Sequence, residues 1–202
     1  MHDRTPPTPL RPVIHQSWKR SRAFGVQAAP AALPLRRVSR FELQARLDLN
    51  RNLLAATKPR LDAYSRQFAR VQHVLYVMDS DGIVLHSAGD AGLRKLYGLS
   101  PGYDWSERRM GTNGAGTALA IGQALIVSGA EHYCKLCHGA TCIAAAILGP
   151  FGRVIGAIDL TTAVEDAIPD RLPQVIQLAN EISDELMRGA QRRPRARRAA
   201  RG

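Results

Sequence analysis

The chain has 202 residues, 45% of them apolar, and a formal net charge of +11. Its length suits one substantial core, its apolar share excludes wholesale disorder, and no run of about 18 apolar residues is present to form a membrane-spanning helix. The positive charge is confined to the ends: residues 1–40 hold eight Lys/Arg and one acid, residues 188–202 hold seven Arg and no acid, and residues 41–187 hold 13 basic against 16 acidic residues.

Residues 1–10 carry three prolines and no apolar h-region, so they are expected to be a disordered start and not a secretory signal. That places the protein in the cytosol, where three cysteines are expected as reduced thiols or metal ligands. Residues 11–70 read as an N-terminal helical extension. It begins with a helix over Val13–Arg22, followed by a Pro/Ala-rich connector from Ala28 to Pro34. One or two helices then cover 41–70, where Leu47, Leu54, Leu61 and Phe68 lie seven apart, with Leu43 and Tyr64 on the adjacent stripe. Pro59 lacks an amide donor and is expected to kink or break this segment near Lys58. The seam fits a dimer interface and packing on its own domain equally well.

Strand texture begins at Val71. The run Val74–Met78 is followed by the turn Asp79-Ser80-Asp81-Gly82 and the return Ile83–His86, a hairpin. Leu125–Val127, Cys142–Leu148 and Val154–Leu160 are further strands, the last two joined by the turn Gly149-Pro150-Phe151-Gly152. A closing helix is expected over Pro169–Met187, with Leu172, Val175, Ala179, Ile182 and Leu186 at alternating three- and four-residue spacing, a second apolar seam. Residues 71–187 are thus one α+β domain, an antiparallel sheet covered by helices. Residues 188–202 read as an Arg-rich disordered tail, a linker or a source of non-specific, salt-sensitive phosphate affinity.

Several segments together carry a resemblance: Trp105-Ser106-Glu107, Gly111-Thr112-Asn113-Gly114-Ala115-Gly116-Thr117-Ala118-Leu119, Glu131-His132-Tyr133, Cys142, and Gly152 to Leu160. Upstream, Arg11 to Ile14 and Ser17 to Ser21 add to it. In this order and spacing, over about residues 11–187, they resemble the N-terminal GAF sensor of bacterial transcriptional activators of acetoin, glycerol and related alcohol catabolism. The resemblance implies a GAF fold, with N- and C-terminal helices packed on one face of the central sheet. It also implies a role in signal reception and no enzymatic activity. Two departures stand out. The chain has no Walker-type phosphate loop and no ATPase or DNA-binding module such as those activators carry. The strand after Cys142 has Ala146 where the family tends to have proline, which permits a more regular ladder.

Around the site, Asn113 fits either a helix N-cap or a ligand contact at a helix start, and Gly114 and Gly116 permit close backbone approach in both cases. Glu131 and His132, adjacent in sequence, point to opposite sides, so one is expected to line a pocket and the other to tie down the loop. Trp105 and Tyr76 are candidates for an apolar wall. The ligand-binding set is therefore Trp105, Thr112, Asn113, Glu131, His132 and Cys142.

The three cysteines cluster with two histidines between His132 and Cys142. Cys134, Cys137, Cys142 and His138 form a candidate metal set for zinc, iron or an iron–sulfur cluster. Cys134-Lys135-Leu136-Cys137-His138 also spells a haem-attachment string, which without export has no route to haem. A thiol redox switch through Cys134 and Cys137 is a second option. A third is a reductase like the GAF-type free methionine sulfoxide reductases, although the clustering of the cysteines in one loop does not suit it. The expected partners are a small-molecule effector, a second copy of the chain through the apolar seams, and a transcription activator. Nucleic acid is expected only non-specifically, through the tail, and no membrane is expected.

Overall fold

The computed structural model describes residues 11–68 and 71–199. Residues 1–10 and 200–202, read as a disordered start and the end of the tail, lie outside the described residues. The strands are β1 His73–Asp79, β2 Val84–Gly89, β3 Leu125–Ser128, β4 Ala140–Leu148 and β5 Val154–Ala163. They form one antiparallel sheet in the order β2-β1-β5-β4-β3. The turn after β1 is fixed by Asp79, whose Oδ1 accepts the amides of Asp81 and Ile83 at 3.0 Å. β4 stays paired with β5 through Ala146, opposite Ala157, as a residue with an amide donor allows.

Alternation along these strands divides the sheet into two faces. Leu75, Val77, Ile143, Ala145, Ile147, Ile158 and Leu160 point to one side. There they meet α3 (Arg51–Ser65) and α7 (Leu172–Ala199) through Leu53, Ala56, Leu61, Val175, Ala179 and Ile182. Leu47, Leu54, Tyr64, Leu172 and Leu186 pack against the same cluster. Leu47, Leu54, Leu61 and Tyr64 of the first seam, and Leu172, Val175, Ala179, Ile182 and Leu186 of the second, thus pack within the chain's own core. Each fully buried Ile or Leu here contributes about 2–3 kcal/mol of transfer free energy.

The other face carries α1 (Pro12–Ala23), α4 (Ala91–Tyr97), the single turn α5 (Glu107–Met110) and α6 (Gly114–Ile121). Ile14 of α1 packs with Ala118, Leu125, Val127 and Ala144. The helices of the N-terminal extension thus separate: α3 joins α7, while α1 crosses to the opposite side of the sheet. α2 (Arg40–Leu49) precedes α3 and has no fully buried residue.

Two local expectations are corrected. The break in the 41–70 segment falls at Asn50 and not near Lys58; the Asn50 side-chain amide donates to the Arg46 carbonyl at 2.9 Å and closes α2. Pro59 lies inside α3 on its exposed side, as does Ala55, so the carbonyl that Pro59 cannot bond faces water. The final helix does not stop at Met187. Its backbone runs to Ala199, through much of the stretch read as a disordered tail. Ala and Arg are strong helix formers, and cations near a helix C-terminus suit its dipole. Among the described residues no helix is long and apolar enough to cross a membrane.

Candidate functional site

The Gly111–Leu119 segment is built for contact with its surroundings at short range. Asn113 caps α6, its Oδ1 accepting the Gly116 amide at 2.8 Å. Its Nδ2 donates to the carbonyls of Gly111 at 2.9 Å and Trp105 at 3.2 Å, so every polar atom of the side chain serves the turn. A Cβ on Gly114 would stand 2.1 Å from Asp159 Oδ2, and one on Gly116 would stand 2.5 Å from the Trp105 carbonyl. Glycine is required at both positions because the helix start lies directly on β5 and on the Trp105 loop.

Asp159, on the central strand, is wholly buried beneath that helix start. Its Oδ1 accepts from Thr161 Oγ1 at 2.7 Å. Its Oδ2 has no hydrogen-bond partner at bonding geometry, although the Ala115 amide, the Cys142 thiol and the Tyr76 hydroxyl lie near it. Burial pushes its carboxyl up to about 7. The helix N-terminus that was a candidate anion site is therefore already faced by the protein's own carboxyl.

Above Asp159 is a small, partly open cavity of about 10 Å³, lined by Tyr76, Tyr97, Leu99, Trp105, His132, Cys137, Ala140, Cys142 and Thr161. That volume admits about one water molecule. Burial holds His132 down to about 4, only partly offset by Nδ1 facing the Gly129 carbonyl at 3.1 Å. Cys142 is raised well above an ordinary thiol by burial and by the nearby Asp159, and its Sγ lies 3.4 Å from Thr161 Oγ1. Among the described residues no Lys, Arg or Glu lines the cavity. A larger open cleft of about 630 Å³ lies on the opposite face, between the end of α2, α3 and α7, lined by Leu49, Leu53, Ile155, Leu186 and their neighbours. It lacks the convergent buried polar groups of the smaller cavity.

The predicted ligand set divides. Trp105, His132 and Cys142 meet at the cavity. Thr112, Asn113 and Glu131 do not line it. Thr112 turns toward α1, where its Oγ1 lies 2.6 Å from Ser17 Oγ and its amide donates to Ser21 Oγ at 3.0 Å. Glu131 is paired with Arg11 at 2.7 Å through both carboxylate oxygens and accepts the Ser128 amide at 3.1 Å, closing the loop end. The candidate metal set is not assembled: among the described residues no three His, Cys, Asp or Glu side chains converge on one point. The physical reason is that Cys142 lies on β4 toward Thr161, while His138 Nε2 is engaged with the His132 carbonyl at 3.2 Å.

The sequence reading missed the residues that join the cavity to α1. Glu107 is 4% exposed and receives Arg20 through both guanidinium contacts, at 2.6 and 2.8 Å. Ser17 donates to the same carboxylate, and Thr117 does so at 3.2 Å. Trp18 donates to the Glu131 carbonyl at 2.8 Å and meets the Tyr133 ring edge-on, with centroids 5.4 Å apart. The Lys135 amide donates to Ala28 beyond α1, and the Tyr133 amide to Thr112, at 2.8 and 3.1 Å. One loop, Gly129 to Gly139, therefore covers the cavity on its inner side and holds α1 on its outer side.

A five-stranded antiparallel sheet with α3 and α7 on one face, and the helices around the small cavity on the other, is the α+β arrangement of a GAF-like fold. The chain belongs to the MimR N-terminal domain family, whose model matches residues 6–183. The propane 2-monooxygenase operon transcriptional activator MimR of Mycolicibacterium goodii is 29% identical over 185 residues, 89% of this chain and 30% of that protein. The acetoin dehydrogenase operon transcriptional activator AcoR of Bacillus subtilis is 30% identical over 182 residues, 88% of this chain and 30% of that protein. The chain spans about a third of the length of such relatives. In the crystal structure of the E. coli DhaR(N)–DhaL complex the similarity has a TM-score of 0.86 at 21% identity and covers 95% of this chain and 65% of that one, a shared fold.

Proposed function

We propose that this chain receives a small, uncharged, oxygen-bearing organic molecule in the Trp105–His132–Cys142 cavity and passes that signal to a transcription-activating apparatus. Family membership supports the regulatory role: the chain is a regulatory domain and not an enzyme. The wall of the cavity supports the ligand class. Aromatic and aliphatic groups surround the Tyr76 and Thr161 hydroxyls, the Cys142 thiol and a neutral His132, and Asp159 lies beneath them, protonated below about pH 7. Such groups exchange hydrogen bonds with a hydroxyl or carbonyl, and an ion brought here would lose its hydration with no countercharge.

Because the cavity holds about one water, ligand entry requires the Gly129–Gly139 loop to move outward, and the bonds from that loop to Trp18, Ala28 and Thr112 carry the motion to α1 and the following connector. The size of the response is bounded by the ligand's difference in affinity for the two loop positions. Reception of this kind belongs in the cytoplasm, beside a protein partner or further domains of an activator. Titration of Trp105 fluorescence with acetoin, short ketones and vicinal diols tests the ligand class. Saturable binding that Ala140→Phe abolishes without unfolding is expected. The absence of binding across the panel, or binding indifferent to Ala140→Phe, overturns it.

A further inference from the structure

Cys134 and Cys137 are adjacent to the cavity, but the ligand reading gives no role to their chemistry. Cys134 precedes the single 3₁₀ turn Lys135–Cys137, and the Cys137 amide donates to the Cys134 carbonyl at 2.9 Å. A three-residue separation across such a turn brings side chains to one side of it. Both residues are 1–3% exposed and share one cluster with Val74, Tyr76 and Tyr97, whereas Lys135 and Leu136 between them are exposed. The pair therefore lies one residue beneath the surface, on one side of the turn.

The two thiols are electrostatically unequal. The Cys137 thiol donating to Cys134, with help from the Leu136 and Cys137 amides, lowers Cys134 to about 6 despite its burial. Cys137, the donor, is raised by the same contact and by burial. Cys142, on β4 against Thr161, lines the same small cavity as Cys137 and adds to the raising of that thiol, but it lies outside the turn that carries the pair. One turn thus holds a nucleophile and a neighbouring proton-bearing thiol, the arrangement that favours intramolecular over intermolecular oxidation.

We propose that Cys134 and Cys137 form a reversible dithiol–disulfide switch responsive to hydroperoxides, with Cys134 the attacking sulfur and Cys137 the resolving one. The Cys134 thiolate attacks one peroxide oxygen; the O–O bond breaks, a sulfenic acid forms, and with hydrogen peroxide the other oxygen leaves as water after protonation. Cys137 then loses its proton and attacks the Cys134 sulfur. The S–S bond forms, the S–O bond breaks, and a second water departs. Two thiols and one peroxide yield one disulfide and two waters, and the peroxide takes up both electrons. A dithiol reductant reverses the change by two exchange steps, ending as its own disulfide.

Forming the bond brings the two Cβ atoms to about 3.5–4.5 Å apart. The Cys137 side chain shifts on the cavity wall, and the turn's tie from Lys135 to Ala28 carries the strain to the connector after α1. This switch does not depend on the ligand reading, since it needs only the two thiols and an oxidant.

The test is to treat reduced full-length protein with a small excess of hydrogen peroxide, trap free thiols, and map the peptides by mass. A Cys134–Cys137 intramolecular disulfide is expected, with Cys142 still free and with a shift in tryptophan emission reversed by a dithiol reductant. Cys137→Ser is expected to carry position 134 to the sulfenic and then the sulfinic acid, since the resolving thiol is gone, and Cys134→Ser to slow oxidation at position 137 at least tenfold. Circular dichroism and thermal melts of both variants establish that they are folded. If Cys134 reacts no faster than Cys142, or if the main product is a bridge to Cys142 or between molecules, the proposal is overturned.

Discussion

The two faces of the sheet bury similar numbers of strand residues but use different chemistry. Against α3 and α7 the contacts are made by Leu, Ile, Val and Ala. Against α1, α5 and α6 the interior includes Glu107, Asp159, His132, Ser17, Thr112, Thr117, Thr161 and all three cysteines. Apart from the His73–Ser65 hydrogen bond at the end of α3, the first face is stabilised by dispersion and apolar transfer, which do not depend on protonation or oxidation. The second has hydrogen bonds and titratable groups whose free energy changes with protonation, oxidation or a bound molecule. One side of the sheet supplies a rigid support, and the other supplies the states among which a signal can choose.

The largest expected effect that separates the faces is on stability alone. Ile158→Ala, on the apolar face, should cost about 3–4 kcal/mol through lost transfer and an unfilled cavity. Urea denaturation measures it, and the tryptophan response to ligand in the remaining folded protein should be unchanged. A changed response would mean that the faces are not separable.

Next in size is a pH signature of the polar face. Asp159 is held at about 7 against an ordinary 3.8, so the folded protein keeps a proton that the unfolded chain releases. Its contribution is greatest below the unfolded value and is lost as pH rises through about 7, by at most about 4 kcal/mol. His132 is held at about 4 against 6.5, so its folded form refuses a proton that the unfolded chain takes up. That contribution is lost as pH falls from about 6.5 to 4, by at most about 3 kcal/mol. The two slopes oppose each other over most of this interval. Relative to wild type, Asp159→Asn should remove the decline toward neutral pH, and His132→Gln should remove the loss toward acid. Denaturation at about pH 5 and about pH 7.5 reads both; parallel curves for all three proteins would place neither group in its assigned environment.

Glu107→Ala should follow, at about 2–3 kcal/mol, because it leaves Ser17 and Thr117 without their acceptor and Arg20 without its partner. Amide exchange should accelerate in Pro12–Ala23 more than in α7, which distinguishes loss of α1 docking from general destabilisation. Smaller still, Asn113→Ala should cost about 1 kcal/mol as a lost cap, with ligand affinity changed less than threefold. A large loss of affinity at full stability would return Asn113 to the ligand set.

Much of the fold was legible because its periodicities are strong. The alternation in Val154–Leu160 and the seam from Leu172 to Leu186 each fix which residues face the core. The break at Asn50 was obscured by Pro59, whose missing donor costs little on an exposed helix side. Within the site, Trp105, His132 and Cys142 were legible as a motif. Thr112 and Glu131 belong to the same motif but serve α1 and the loop, a distinction that depends on which helix docks there. Asp159 did leave a signal: a carboxylate in an apolar strand, on the same side as Ala157 and Thr161, has no cheap place in a core. Glu107 left little, since a Glu at the start of one helical turn is an ordinary first-turn acid until α1 brings Arg20 and Ser17 to it.

The most direct test of the central claim is hydrogen–deuterium exchange of the full chain with and without the best-binding small oxygenated molecule of the panel. The account predicts altered exchange in the Gly129–Gly139 loop and in Pro12–Ala23, with β5 and α7 unchanged. Changes confined to the α3–α7 cleft, or binding that leaves both the loop and α1 untouched, would contradict it.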